Sequence, residues 1–239
     1  CMRCLEDDRR GDQFLRLDWL CAAITICEIH CVPLWLYEEP LGALQCFHDD
    51  NGARFTFFTR SHSHYSGRRK DEAVLRALCR FEQALKRALA GEVRTLPGLD
   101  SIAFVAVVTD LIWALLQTVA RDGTRLAHHF EVEHFPVPPG WRAPYTLRAL
   151  SGLDIWFRQS VLAIVACLLL PTYFADLITV SSHLGRPDTD ARLLDVLGPE
   201  NVDTLLGRAH RWPIYFRLRM EKAARSRPIS RDVKRKSTD

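Results

Sequence analysis

Glycine and proline are sparse, 12 of each in 239 residues, which excludes collagen-like chains and low-complexity coils. Three signatures are missing altogether: the G-x-S-x-G nucleophile elbow, the phosphate-binding loop and the G-x-G-x-x-G dinucleotide turn. Their absence leaves no motif that names a hydrolase, a nucleotide hydrolase or a dinucleotide-dependent dehydrogenase. A dominant charge is lacking too, since 32 basic residues face 29 acidic ones for a net +3. The near balance is local bookkeeping only. From Arg208 onward there are 11 basic and 3 acidic residues, so a +8 tail follows a body of −5. What the chain does have is apolar mass, 48% of its residues, enough at this length to bury a core without disulfides.

Cysteine is plentiful, with eight residues. Several sit in apolar runs such as WLCAAITIC and IVACLLL, where a thiol behaves as a small hydrophobe. That placement differs from a secreted disulfide scaffold and predicts reduced thiols and an intracellular setting.

The order of patterns predicts a mainly α chain, a helical bundle or helical membrane hairpin with one small β-hairpin near 43–59. Residues 1–95 read as a helical region carrying that hairpin. Within them, Phe14 to Tyr37 shows a helical period through Leu17, Leu20, Ile24, Cys27 and Cys31 until Pro33 stops it. The hairpin is signalled by Asn51-Gly52 between two arms, the second rich in Phe and Thr. The clearest helix runs from about Asp71 to Ala90, with Val74, Leu75, Leu78, Phe81 and Leu85 on one stripe and Arg76, Arg80, Lys86 and Arg87 on the other face. Glu82 stands four residues before Lys86, as an i,i+4 ion pair would require. Gly91 occupies the place of a C-cap.

Residues 96–184 hold two long apolar segments, Ile102 to Ala120 and Ser160 to Val180, joined by a loop. Each has the roughly 20 residues that cross a bilayer and a mean hydropathy of about +2. Each carries one acid, Asp110 or Asp176, and intramembrane acids are functional suspects. Basic flanks on both outer sides predict a hairpin in an internal membrane with both termini facing the cytosol. Asp100 and Asp154 read as N-caps. Residues 185–225 read as short helices broken at Gly198-Pro199 and a basic amphipathic segment, and 226–239 as a disordered basic tail.

Three His/Cys constellations suit a metal. Cys1-x2-Cys4 with Cys27-x2-His30 supplies four zinc-type ligands, although the second pair falls within the predicted apolar helix, where such side chains are ordinarily packing residues. Cys46 and His48, with His62 and His64, bracket the hairpin, and alternate residues of a strand share a face. His128, His129 and His134 follow the first apolar segment. There, Glu133, His134, Phe135 and Pro136 resemble the last histidine box of the membrane fatty-acid and sphingolipid desaturases, although the doubled histidine of that box is missing. The resemblance implies a di-iron oxidase. It covers about ten residues, and His62-x-His64 is the sole earlier cluster where that family needs several.

The tail interleaves Arg211, Trp212, Arg217, Arg219 and Lys222 and ends near Lys234, Arg235 and Lys236. Such a segment binds anionic lipid or nucleic-acid phosphate. The leading expectation is a non-catalytic membrane-associated helical protein, serving membrane organisation or a membrane complex, with lipid or a protein as partner and no cofactor. Beside it stand a nuclear or cytoplasmic helical regulatory protein whose tail binds nucleic acid, and a histidine-rich metal oxidase using zinc or iron.

Overall fold

The computed structural model describes residues 1, 3–4, 21–34, 46–49, 52–55, 72–96, 99–121, 142–143, 145–150, 153, 155–170 and 196–225. These are mostly helical, as the sequence predicts. Two antiparallel strands, β1 (Cys46–Asp49) and β2 (Gly52–Phe55), form the expected hairpin. Its register pairs Asp49 with Gly52, so Gly52 belongs to the second strand.

Helix α1 (Glu72–Leu89) buries Val74, Ala77, Leu78, Phe81 and Leu85, and each such Val, Leu or Phe side chain contributes about 1.5–3 kcal/mol. It ends in a Schellman motif: Gly91 adopts φ +84°, its N–H bonds Ala88 O at 3.0 Å, and Glu92 N–H bonds Arg87 O at 3.1 Å. Only glycine takes that φ without strain. A short ladder of β3 (Arg94–Leu96) and β4 (Leu99–Asp100) follows. Asp100 Oδ1 accepts the Ala103 N–H at 3.0 Å and so caps the next helix, as its sequence position suggests.

Helix α2 (Ser101–Arg121) is the axis of the molecule. It packs on α1, on α3 (Ile155–Leu169) and on α4 (Val202–Arg208). Phe104 meets Phe81 edge-to-face at 5.8 Å. Among the described residues, α2 is the one helix long and apolar enough to cross a membrane, with mean hydropathy 2.0, and 67% of that window is buried inside the protein. The second apolar helix begins at Ile155 instead of Ser160. It ends at Leu169, before Pro171, because proline cannot continue the ladder. The rest of that segment, with Asp176, lies outside the described residues, as does Asp154.

Gly198 breaks the following helical stretch as expected, with φ +80° and Pro199 opening a 3-10 turn. Here Asn201 donates through Nδ2 to Leu197 O, Ala114 O and Thr118 Oγ1 at 2.9–3.2 Å, pinning the break to α2. After α4 and a further 3-10 turn, α5 (Ile214–Arg225) lays Phe216 and Met220 into the same core.

One expectation fails clearly. Residues 21–34, the described part of the predicted helix between Phe14 and Tyr37, form turns and a β-bridge from Ile26 to Pro33. The β-branched run Ile24-Thr25-Ile26 resists helix and favours extended backbone. Cys31 then turns the chain with φ +50°, which no helix permits.

Candidate metal centre

The bridge at Ile26 and Pro33 closes a tight turn. Cys27 N–H bonds Val32 O at 2.9 Å, Cys31 N–H bonds Cys27 O at 2.8 Å, and Leu34 N–H bonds Thr25 O at 2.8 Å. This hydrogen-bonded frame turns Cys27 Sγ and His30 Nδ1 to one side, 3.7 Å apart. Cys1 and Cys4 meet them there. Cys4 Sγ lies 3.5 Å from Cys27 Sγ and 3.3 Å from His30 Nδ1, and Cys1 Sγ lies 3.6 Å from His30 Nδ1. All four ligand atoms fall within 4.8 Å of one another, with the three cysteines buried.

These separations bear on three chemistries. A disulfide needs sulfurs about 2.05 Å apart, and the pair at 3.5 Å is not bonded. Packing without a metal would hold the groups by sulfur–sulfur and sulfur–nitrogen hydrogen bonds of 3.3–3.7 Å. A tetrahedral metal with bonds of about 2.3 Å to sulfur and about 2.0 Å to nitrogen has edges of about 3.5–3.8 Å; four of the six separations, at 3.3–3.7 Å, are close to these, and the other two lie within 4.8 Å. The three cysteines form a small apolar cluster of their own with Ile24 and Leu34, apart from the main core. Ala23 and Ile26 anchor the segment in the main core, whereas Cys1 and Cys4 bury apolar surface only in this small cluster, a circumstance in which structural metals are used.

Electrostatics separates the thiols. Burial pushes Cys27 up, but the His30 backbone N–H and ring, with Ile29 N–H and Cys4, outweigh it and hold the thiol below its ordinary value. That is the direction a metal ligand needs, since the thiolate is the binding form. Cys79, on α1, goes the other way, pushed up to about 12 by burial first and by neighbouring Cys31 and Glu82. It behaves as a core hydrophobe.

Behind the turn stands Glu82, 2% exposed. Its carboxylate accepts the backbone N–H of Thr25 at 2.8 Å and of Ile26 at 2.9 Å, and the Thr25 hydroxyl. Glu82, expected to stand beside Lys86 as an ion pair, lies on the buried stripe of α1 and turns its carboxylate to this backbone, while Lys86 pairs with Glu28, in the same turn, at 3.1 Å.

The other expected site residues lie elsewhere. Cys46 and His48 fall two residues apart on β1, while His62, His64, His128, His129 and His134 are outside the described residues, so no geometry joins them. Asp110 is fully buried on α2 and accepts from Trp212 Nε1 at 2.7 Å and from Arg211 Nη2 at 3.3 Å. Trp212 is buried with it. Arg219 donates to Leu168 O at 2.7 Å, Arg217 stands 3.7 Å from Glu221, and Lys222 is exposed on α5. The segment from Arg211 to Arg225 thus spends several of its polar groups within the molecule. Lys234, Arg235 and Lys236 are outside the described residues.

The spacing Cys-x2-Cys and Cys-x2-His carries the signal for the centre in the sequence. The helical reading of Phe14 to Tyr37 hid it. Glu82 carried no signal of its own, since Thr25 is 57 residues away. Comparison of the chain with protein-family models, curated proteins and solved structures finds no match.

Proposed function

We propose that the protein is a non-catalytic helical protein whose Cys1, Cys4, Cys27 and His30 hold a structural zinc ion, and that it acts by binding a partner. The observation that carries the reading is the convergence of four ligand atoms within 4.8 Å. Three soft sulfurs and one imidazole gathered at one point favour zinc over the oxygen-loving metals. All four positions are filled by protein, so no position is left for water or substrate, and a closed set of this kind stabilises a fold instead of activating a nucleophile.

Elemental analysis of the purified chain tests it. One zinc per chain, lost with any of the variants C4S, C27S or H30A, is the expected result, and absence of stoichiometric metal from protein made in zinc-replete medium refutes it.

A second reading, a membrane-associated helical protein, is supported by the length and hydropathy of α2. Against it stands Asp110, whose partners Trp212 and Arg211 come from the chain itself. Fractionation separates the two. Release by carbonate and monodispersity without detergent support the first reading, whereas retention in the membrane until detergent is added supports the second.

A further inference from the structure

Glu82 is a buried carboxylate on an otherwise apolar stripe, a placement that is costly unless the charge is fully hydrogen-bonded. Three donors to it come from one place. Two consecutive backbone N–H groups, of Thr25 and Ile26, and the Thr25 hydroxyl all point at its two oxygens. The next residue in the chain is Cys27, a ligand.

Thr25 is gripped from the other side as well. Its carbonyl accepts Leu34 N–H at 2.8 Å and Gln159 Nε2 at 3.3 Å, the latter from α3. The strand that delivers Cys27 is therefore fixed in direction by α1 and in depth by α3. A one-residue shift would take these donors out of register with the Glu82 oxygens.

We infer that Glu82 is a positioning residue of the metal centre: it orients the Thr25–Ile26 backbone so that Cys27 and His30 meet Cys1 and Cys4, and it makes metal binding and helical packing one cooperative unit. This rests on the zinc reading above. Partners outside the ligand shell that orient ligands typically change metal affinity by roughly 10- to 100-fold when removed. Glu82 acts on the backbone that carries the ligand, not on the ligand itself. Binding the ion draws the turn onto α1, and breaking the turn from α1 weakens the ion's hold.

The test uses the full chain and cobalt(II) as a spectroscopic substitute, with zinc competition for affinity. Wild type is expected to give tetrahedral cobalt bands at one ion per chain. E82Q keeps size but replaces one acceptor oxygen with an amide that faces backbone donors. It is expected to retain one ion per chain, with affinity 10- to 100-fold weaker, zinc release to a chelator correspondingly faster and distorted cobalt bands. K86A, on the same helix and facing the same turn, is expected to leave all three within twofold.

A role confined to packing would lower the thermal midpoint of E82Q equally with and without metal and leave affinity unchanged, and that result overturns the inference. If E82Q does not fold, E82D decides, because it keeps the charge but draws it back by one methylene. Affinity within twofold of wild type for E82D overturns the inference, and a loss of fivefold or more sustains it. Absence of any cobalt or zinc binding by wild type instead removes the metal reading itself.

Discussion

Two buried acids fasten two distant parts of the chain to the same helical core, and they do so by different physics. Glu82 on α1 receives backbone donors from residues 25–26, in a segment that sends Ala23 and Ile26 into the main core and Ile24, Cys27 and Leu34 into a small separate cluster. Asp110 on α2 receives the side chains of Trp212 and Arg211, in a segment that also drives Trp212, Phe216 and Met220 into the main core. The first attachment adds two core residues, Ala23 and Ile26, to its backbone hydrogen bonds, and under the zinc reading the ligand set beyond it completes the hold. The second is mainly hydrophobic, with Asp110 satisfying the indole N–H that comes with the tryptophan.

The comparison breaks most visibly when a ligand is removed. Zinc at 1,000 times its Kd stabilises a folded protein by about 4 kcal/mol. C27S is therefore expected to lose the ion and about that much stability, while chelation lowers the midpoint of wild type but not of the variant. Calorimetry with and without chelator reads both. Acid should imitate the chelator. Folding holds the Cys27 thiol below its ordinary value, so its contribution is present above the unfolded pKa and is lost as pH falls through the lowered one. Proton competition for the other ligands acts in the same direction. Zinc affinity measured from pH 8 to pH 5 is expected to fall throughout.

D110A attacks the second attachment. It leaves the buried Trp212 N–H without an acceptor, while the exposed Arg211 returns to water, and is expected to cost about 1–3 kcal/mol in chemical denaturation, the scale of one unsatisfied buried donor. Metal affinity should stay within twofold. An equal loss of zinc affinity in D110A would show that the two attachments are not independent.

How much of this could be read in advance differs between the two regions. Helix α1, its Gly91 stop, the hairpin and the break at Gly198 follow from local rules of period, capping and turn chemistry, and they stand where the sequence puts them. Ligand spacing was visible too, but an apparent helical period across Phe14 to Tyr37 assigned Cys27 and His30 to packing. The β-branched run Ile24-Thr25-Ile26 was the better guide. Glu82 and Asp110 were read by their neighbours in sequence, as a surface pair with Lys86 and as a suspect within a membrane span. Their partners are 56–57 and 101–102 residues away. No periodicity encodes such a pairing, because it is set by how the helices pack.

Smaller effects sharpen the picture at the two positive-φ glycines. G198A places a Cβ 2.7 Å from Thr118 Oγ1, inside the polar knot of Asn201 and Leu197 O, and adds that crowding to the backbone strain. It is expected to cost about 2–3 kcal/mol. At Gly91 nothing lies within 4 Å of the added Cβ, so G91A isolates the conformational term of about 1–2 kcal/mol, readable as a shift in the denaturation midpoint.

The smallest effect expected is at the Lys86–Glu28 pair, which spans from α1 to the metal turn at 3.1 Å with both side chains more than a third exposed. Water and salt screen such a pair, and K86A is expected to cost less than about 1 kcal/mol, vanishing at high ionic strength. The pair touches the same turn as Glu82 and comes from the same helix one turn on. If burial is what gives an acid its grip on the metal turn, the exposed pair must contribute little, and a K86A variant as damaging as E82Q would mean that charge near the turn, not the buried hydrogen bonds to Thr25 and Ile26, holds it in place.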